Sequence, residues 1–263
     1  PDKDALLAAI RRLGMLQIDT IHVVARSPYL TLFSRLGAYD PRWLDELLAE
    51  GALFEYWAHA ACFLPIEDYA LFRHRMLQEQ RDHGRHTQTW LEAHRDEAEA
   101  VLAHLHTQGA VRAADFEGNN HRSGSWWQWK PEKRVLEALF NVGEVMIARR
   151  DRFQRVYDLR ERVLPDWDDA RALPVQEAQR LLVERTVRAL GLAATPWLAD
   201  YYRLERRSLE AAIEQLLAAG ALLPAEVEGW PAPVYLHADN LALAQRAAEG
   251  ALRPTLTTLL TPF

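Results

Sequence analysis

One pattern returns three times along these 263 residues: Leu44-Asp-Glu-Leu-Leu-Ala-Glu-Gly51-Ala-Leu53, Leu136-Glu-Ala-Leu-Phe-Asn-Val-Gly143-Glu-Val145 and Ile213-Glu-Gln-Leu-Leu-Ala-Ala-Gly220-Ala-Leu222. In each copy, apolar residues at helical spacing run up to a glycine that can take the left-handed conformation closing a helix, and a β-type run starts at once. A helix stopped directly into a two-stranded hairpin is the layout of a winged helix, and three copies predict three such units in tandem. The expected fold class is therefore mainly α with short β-hairpins (α+β), three tandem winged-helix units forming a curved DNA-binding surface.

The rest of the chain is divided around these copies. The first unit, 1–84, opens in a helix from Asp2 to Leu13 and breaks at Gly14. It passes through an extended stretch from Leu16 to Val24 and resumes helix after Asp40-Pro41, an N-cap followed by proline at the first helical position. A charged helix over 66–81 leads to the polar boundary 82–87. The second unit, 85–163, has a helix over 90–106 and another starting at Lys130-Pro131. Its wing strands are expected at 145–148 and 153–159, turned by Arg149-Arg-Asp-Arg152. An acidic, proline-bounded connector over 164–174 precedes the third unit, 175–263. This unit has a helix over 175–190, a helix start at Thr195-Pro196, wing strands at 226–229 and 234–237, and a last helix over 241–249.

At 49% apolar residues the chain has material for ordinary hydrophobic cores. No apolar run approaches the ~18 residues that a bilayer-spanning helix needs. The opening Pro1-Asp-Lys-Asp-Ala-Leu-Leu-Ala-Ala-Ile10 reads as a helix rather than a signal peptide, so a cytoplasmic monomer without membrane association is expected. The single cysteine, Cys62, excludes an internal disulfide framework and a multi-thiolate zinc site, and it is expected to be buried. His59 with Cys62 lacks two further ligands at suitable spacing, and no metal or other cofactor is expected.

A net charge of −6 argues against a chain coated in phosphate-binding groups, but nucleic-acid binding depends on a local basic face rather than on the sum. Lysine occurs only at Lys3, Lys130 and Lys133, and every other basic residue is arginine, whose planar fork suits phosphate contact. From 130 to 155 the chain carries seven basic residues against four acidic ones, beside the aromatic run Gly124-Ser-Trp-Trp-Gln-Trp-Lys130. Lys130, Lys133, Arg149, Arg150 and Arg152 are the candidate phosphate contacts, with Arg26 from the first unit.

The densest polar feature in an apolar setting is Gln17-Ile-Asp19, followed by His22 and Arg26. In a strand, residues 17 and 19 point to one side, so an amide and a carboxylate would stand together. Spacing alone leaves two roles open: the pair holds one water, or each side chain satisfies nearby backbone. A second constellation, Glu55-Tyr-Trp-Ala-His59, lies at the first wing, where His59 is either a hydrogen-bonded core histidine or a group that stacks on a sugar or base or orients a carboxylate.

Together these residues resemble the YcaQ-type DNA glycosylases, relatives of AlkZ that unhook interstrand crosslinks and excise N7-alkylated guanine. The likeness runs through Arg12-Leu-Gly-Met-Leu-Gln-Ile-Asp-Thr-Ile21, Val24-Ala-Arg-Ser-Pro-Tyr-Leu30, Leu32-Phe-Ser-Arg-Leu-Gly37, Glu55-Tyr-Trp-Ala-His59, Trp126-Trp-Gln-Trp-Lys-Pro131 and Phe153-Gln-Arg-Val-Tyr-Asp-Leu159. The resemblance implies that Gln17 and Asp19 are the catalytic pair, with His59 supporting. It also implies a monofunctional enzyme acting on duplex DNA with alkylated or crosslinked purines. Family members begin with a further helix and continue into a β-rich domain, so the chain looks truncated at both ends. The alternative from another class is a non-catalytic tandem winged-helix regulator or architectural protein, in which Gln17 and Asp19 are structural.

Overall fold

The computed structural model describes residues 1–19, 21–22, 24–79, 85–118, 131–230, 233–253 and 257–260. The first repeat contains α1 (Lys3–Leu13), β1 (Leu16–Gln17), α2 (Ser27–Leu36), α3 (Arg42–Ala49), β2 (Leu53–Trp57) and β3 (Ala61–Pro65). The second contains α4 (Tyr69–Glu79), α5 (Arg85–Ala93), α6 (Arg95–Gln108), β4 (Val111–Arg112), α7 (Pro131–Asn141), β5 (Val145–Asp151), β6 (Gln154–Leu159) and α8 (Arg160–Val163). The third contains α9 (Val175–Leu190), β7 (Leu192–Ala194), α10 (Thr195–Tyr201), α11 (Arg206–Ala218), β8 (Leu222–Ala225), β9 (Val234–His237) and α12 (Leu241–Ala248).

Each repeat forms one antiparallel three-stranded sheet, with orders β1-β3-β2, β4-β6-β5 and β7-β9-β8. The short first strand pairs with the second arm of the hairpin in all three, which is winged-helix topology repeated. The mixed α+β fold expected from the three glycine repeats is thus the fold observed.

Physics at those glycines accounts for the repetition. Gly51, Gly143 and Gly220 have φ of 74°, 74° and 69°, the left-handed region that costs glycine nothing. Their N–H groups bond Leu48, Phe140 and Leu217 carbonyls, while the next N–H reaches back to Leu47, Leu139 and Leu216. That double closure is the Schellman motif, and it satisfies carbonyls that a helix end leaves bare. The residue after each glycine then accepts a bond from the residue following the hairpin: Ile66 N–H to Ala52, Arg160 to Glu144 and Ala238 to Ala221. Gly143 is constrained a second way, because a Cβ there would collide with Nη1 of Arg73 and lie 2.8 Å from Sδ of Met76.

By packing, the chain divides into two compact units: 1–41, 56–65 and 173–263 make the first, 42–55 and 66–172 the second. Leu6, Ile10, Leu16, Leu32, Phe63 and Leu198 are buried in the first unit. There the Tyr201 hydroxyl donates to the Leu13 carbonyl at 2.7 Å, tying the end of α10 to the end of α1. In the second unit Leu44, Phe54, Phe72, Leu136 and Ile147 are buried, and the buried Arg73 donates to Asp169 at 2.7 and 2.9 Å.

Several local expectations are corrected. The extended stretch expected over 16–24 shortens to β1, and Ser27-Pro28 opens α2, a helix that apolar spacing does not announce. The helix expected over 90–106 is two helices meeting at His94, whose ring stacks on Trp90 at 4.1 Å. The third wing begins at Leu222–Ala225, immediately after its glycine, and not at 226–229. In the second wing, β5 continues through Asp151, so the turn is Arg152-Phe153 alone.

Candidate functional site

Of the pair singled out by sequence, Gln17 ends β1, an edge strand of the first sheet, and Asp19 lies two residues beyond it. Leu16 faces Phe63 and Gln17 faces Cys62, and the Ile18 N–H donates to the Ala61 carbonyl at 2.8 Å, which carries the register one residue further. Ala61 itself follows the turn that holds His59. Burial alternates along these residues: Leu16 and Ile18 are buried, Gln17 and Asp19 half-buried. The amide and the carboxylate are therefore both partly accessible, between and beyond two buried apolar residues. Asp19 spends one oxygen on the Ile21 N–H at 2.8 Å, a local turn that fixes the carboxylate's rotamer. A carboxylate has about four acceptor sites over its two oxygens, so among the described residues this bond takes up only a part of its capacity.

The segment that follows is more open than its apolar composition implies. Ile21 and Val24 are 68% and 83% exposed, and His22 is exposed as well. Arg26 is half-buried and caps α2 with its carbonyl, which accepts the Tyr29 N–H at 3.1 Å.

His59 lies in the tight turn between β2 and β3, closed by the Ala58 N–H on the Ala60 carbonyl. Both of its ring nitrogens have partners: Nδ1 is 3.2 Å from the Asp200 carbonyl, and Nε2 is 3.0 Å from Nη2 of Arg203. A carbonyl can only accept and a guanidinium only donate, so the ring carries its hydrogen on Nδ1 and offers a lone pair at Nε2. Arg203 also pairs with the Asp200 carboxylate. The hydroxyl of Tyr201, next to these residues, has its pKa pushed up to about 12, first by burial, and so serves only as the donor to Leu13.

The basic residues of the second unit differ in exposure. Arg149 and Arg152 are exposed on the wing, and Lys133 is exposed on the first turn of α7. Arg150 departs from the expected phosphate role. Its side chain is 5% exposed and grips the buried Glu55 at 2.5 and 2.9 Å, while Nη1 donates to the Phe153 carbonyl. Arg155 holds the same carboxylate at 3.1 Å. The cause is the longer β5: cross-strand pairing of Arg150 with Arg155 turns both toward Glu55. Lys130 lies outside the described residues, as do the tryptophans of 124–130. Among the described residues, no cluster of three or more His, Cys, Asp or Glu side chains is placed to hold a metal ion.

The profile of the family "DNA glycosylase AlkZ-like" matches residues 10–263, nearly the whole chain. The chain belongs to the AlkZ-like DNA glycosylase family. Its fold is similar to that of the solved Streptomyces sahachiroi DNA glycosylase AlkZ, with a TM-score of 0.59 at 16% sequence identity. That likeness covers 96% of this chain and 67% of the AlkZ chain. No described helix of this AlkZ-like chain is long and apolar enough to cross a membrane. Of the residues picked from sequence, the structure places Gln17 at the end of β1, Asp19 two residues beyond it, and His59 in the turn that leads into β3, the strand paired with β1. Sequence reasoning missed Asp200 and Arg203, which reach His59 from α10 and the residues just after it.

Proposed function

We propose that this AlkZ-like chain hydrolyses the N-glycosidic bond of N7-alkylated guanine in duplex DNA, and by the same step unhooks crosslinks bridged through such a base. The observation that supports the proposal is that Gln17, at the end of edge strand β1, and Asp19, two residues on, are both partly accessible, with Asp19 anchored through one oxygen to the Ile21 N–H.

Breaking the bond between deoxyribose C1′ and the base nitrogen builds positive charge on the sugar. An N7-alkylated guanine is already cationic and departs as a neutral base, so it needs little help from a general acid. An enzyme can then direct its interactions at the sugar cation and the attacking water. The Asp19 carboxylate faces the oxocarbenium-like centre and takes the proton of the water, and the Gln17 amide is that water's second partner. With lysine confined to Lys3, Lys130 and Lys133, a lysine Schiff base is disfavoured, which makes the chain a monofunctional glycosylase. Lys133, Arg149 and Arg152 are the groups for phosphate contact, joined by Arg26 and Lys130 from the sequence reading.

Base release from N7-methylguanine duplex under single-turnover conditions tests the proposal. Asp19→Asn removes the charge and keeps the shape, and is expected to lower the rate constant by about a hundredfold or more. A rate equal to wild type removes Asp19 from the chemistry. Sequence-preferring binding with intact alkylated DNA would instead make the chain a regulator.

A further inference from the structure

Five helix ends among the described residues carry the double closure of a Schellman motif. Four place glycine at the left-handed position: Gly51, Gly143, Gly220 and Gly250. The fifth, at the end of α10, places Arg203 there, with φ of 52°, its N–H on the Asp200 carbonyl and the Leu204 N–H on Ala199. A side chain in that conformation is strained where glycine is not, so local backbone preference does not account for an arginine there.

The side chain has a use that the backbone does not require. Its guanidinium binds the Asp200 carboxylate through Nη1 and the His59 lone pair through Nη2. Two of five N–H donors are thereby fixed and three remain. The Arg203 side chain is 56% exposed, and a guanidinium held through two of its nitrogens has already lost rotamer freedom that a phosphate contact would otherwise remove. His59, in turn, has no ring nitrogen left for a water or a sugar. It lies two residues before Ala61, whose carbonyl accepts the Ile18 N–H between Gln17 and Asp19.

We propose that Arg203 is a DNA-phosphate-binding residue of the Gln17–Asp19 site, and that His59 and Asp200 are its positioning residues, with His59 taking no part in proton transfer. The assignment rests on the reading of the chain as a DNA glycosylase only in that it requires duplex DNA at this edge.

Arg203→Gly tests it, because glycine restores the favoured residue at a left-handed position while removing the guanidinium. The variant is expected to keep or raise Tm. It is expected to bind undamaged duplex about tenfold more weakly at fixed salt, with a plot of log K against log salt shallower by about 0.9, one phosphate contact. Arg203→Gln, which keeps the length of the side chain, should show the same loss of slope. His59→Ala should weaken binding in the wild-type background and add nothing in Arg203→Gly, since one group acts through the other.

Wild-type affinity and slope in both Arg203 variants would overturn the proposal. A loss of Tm with DNA binding unchanged would also overturn it, by making the cluster structural. Base release is measured on the same preparations. Wild type that binds duplex but releases no base fails the glycosylase reading and leaves the Arg203 result standing. Wild type that releases base, with variants of unaltered slope, fails Arg203 alone.

Discussion

Individual side chains here are set by what surrounds them more than by type. His74 is buried on α4, and burial, then the charge of Arg75, pulls its pKa down from the usual 6.5 to about 4. The unfolded chain takes up a proton near 6.5 and the folded chain not until about 4, so stability falls as pH drops through that window and levels off below it. The loss approaches about 3 kcal/mol at most, because each tenfold weakening of proton affinity on folding is worth about 1.4 kcal/mol. His74→Gln is expected to flatten that part of the curve, read by urea denaturation from pH 7 to 4. Gln17 and Asp19 are legible as polar positions flanking the buried Ile18, because alternation along an extended stretch is local. Arg203 is not, since its partner His59 is 144 positions away and its signal lies in a backbone angle.

At the scale of elements, the three glycines announce their helix ends because left-handed closure is a property of a few adjacent residues. The limits of the second wing differ from expectation by a short step with a large effect. Placing its turn over 149–152 leaves Arg150 in solvent, whereas the strand runs on to Asp151 and carries Arg150 onto Glu55. The actual tip, Arg152-Phe153, has φ of 50° and 69°, the geometry of a type I′ turn that favours Asn-Gly. Two non-glycine residues there store strain at an exposed basic position. Arg152→Asn, suited to that backbone, is expected to stabilise the fold by about 1 kcal/mol while making the salt dependence of DNA binding shallower by about 0.9. Equilibrium denaturation and a salt titration of duplex affinity check the two effects together. α2 is hard to read from sequence because Tyr, Thr and Phe weaken its helical signature, although Ser27-Pro28 marks its start.

For the molecule as a whole, repeats in the sequence and compact units in space are different partitions. Three repeats are written one after another, yet the first packed unit is assembled from 1–41, 56–65 and 173–263. A fragment ending at residue 172 therefore lacks the Tyr201 bond to Leu13 and the whole of α9, α10 and α11. Such a fragment is expected to lose cooperative unfolding of α1 and the β1–β3 edge, measured by amide exchange, while residues of the second unit stay protected. This interleaving bears on how damage to the gene itself would be felt. A chain cut anywhere between His59 and Asp200 keeps Gln17, Asp19 and His59 in its sequence and still loses both ring partners of His59 and the later segment of the unit that α1 packs in.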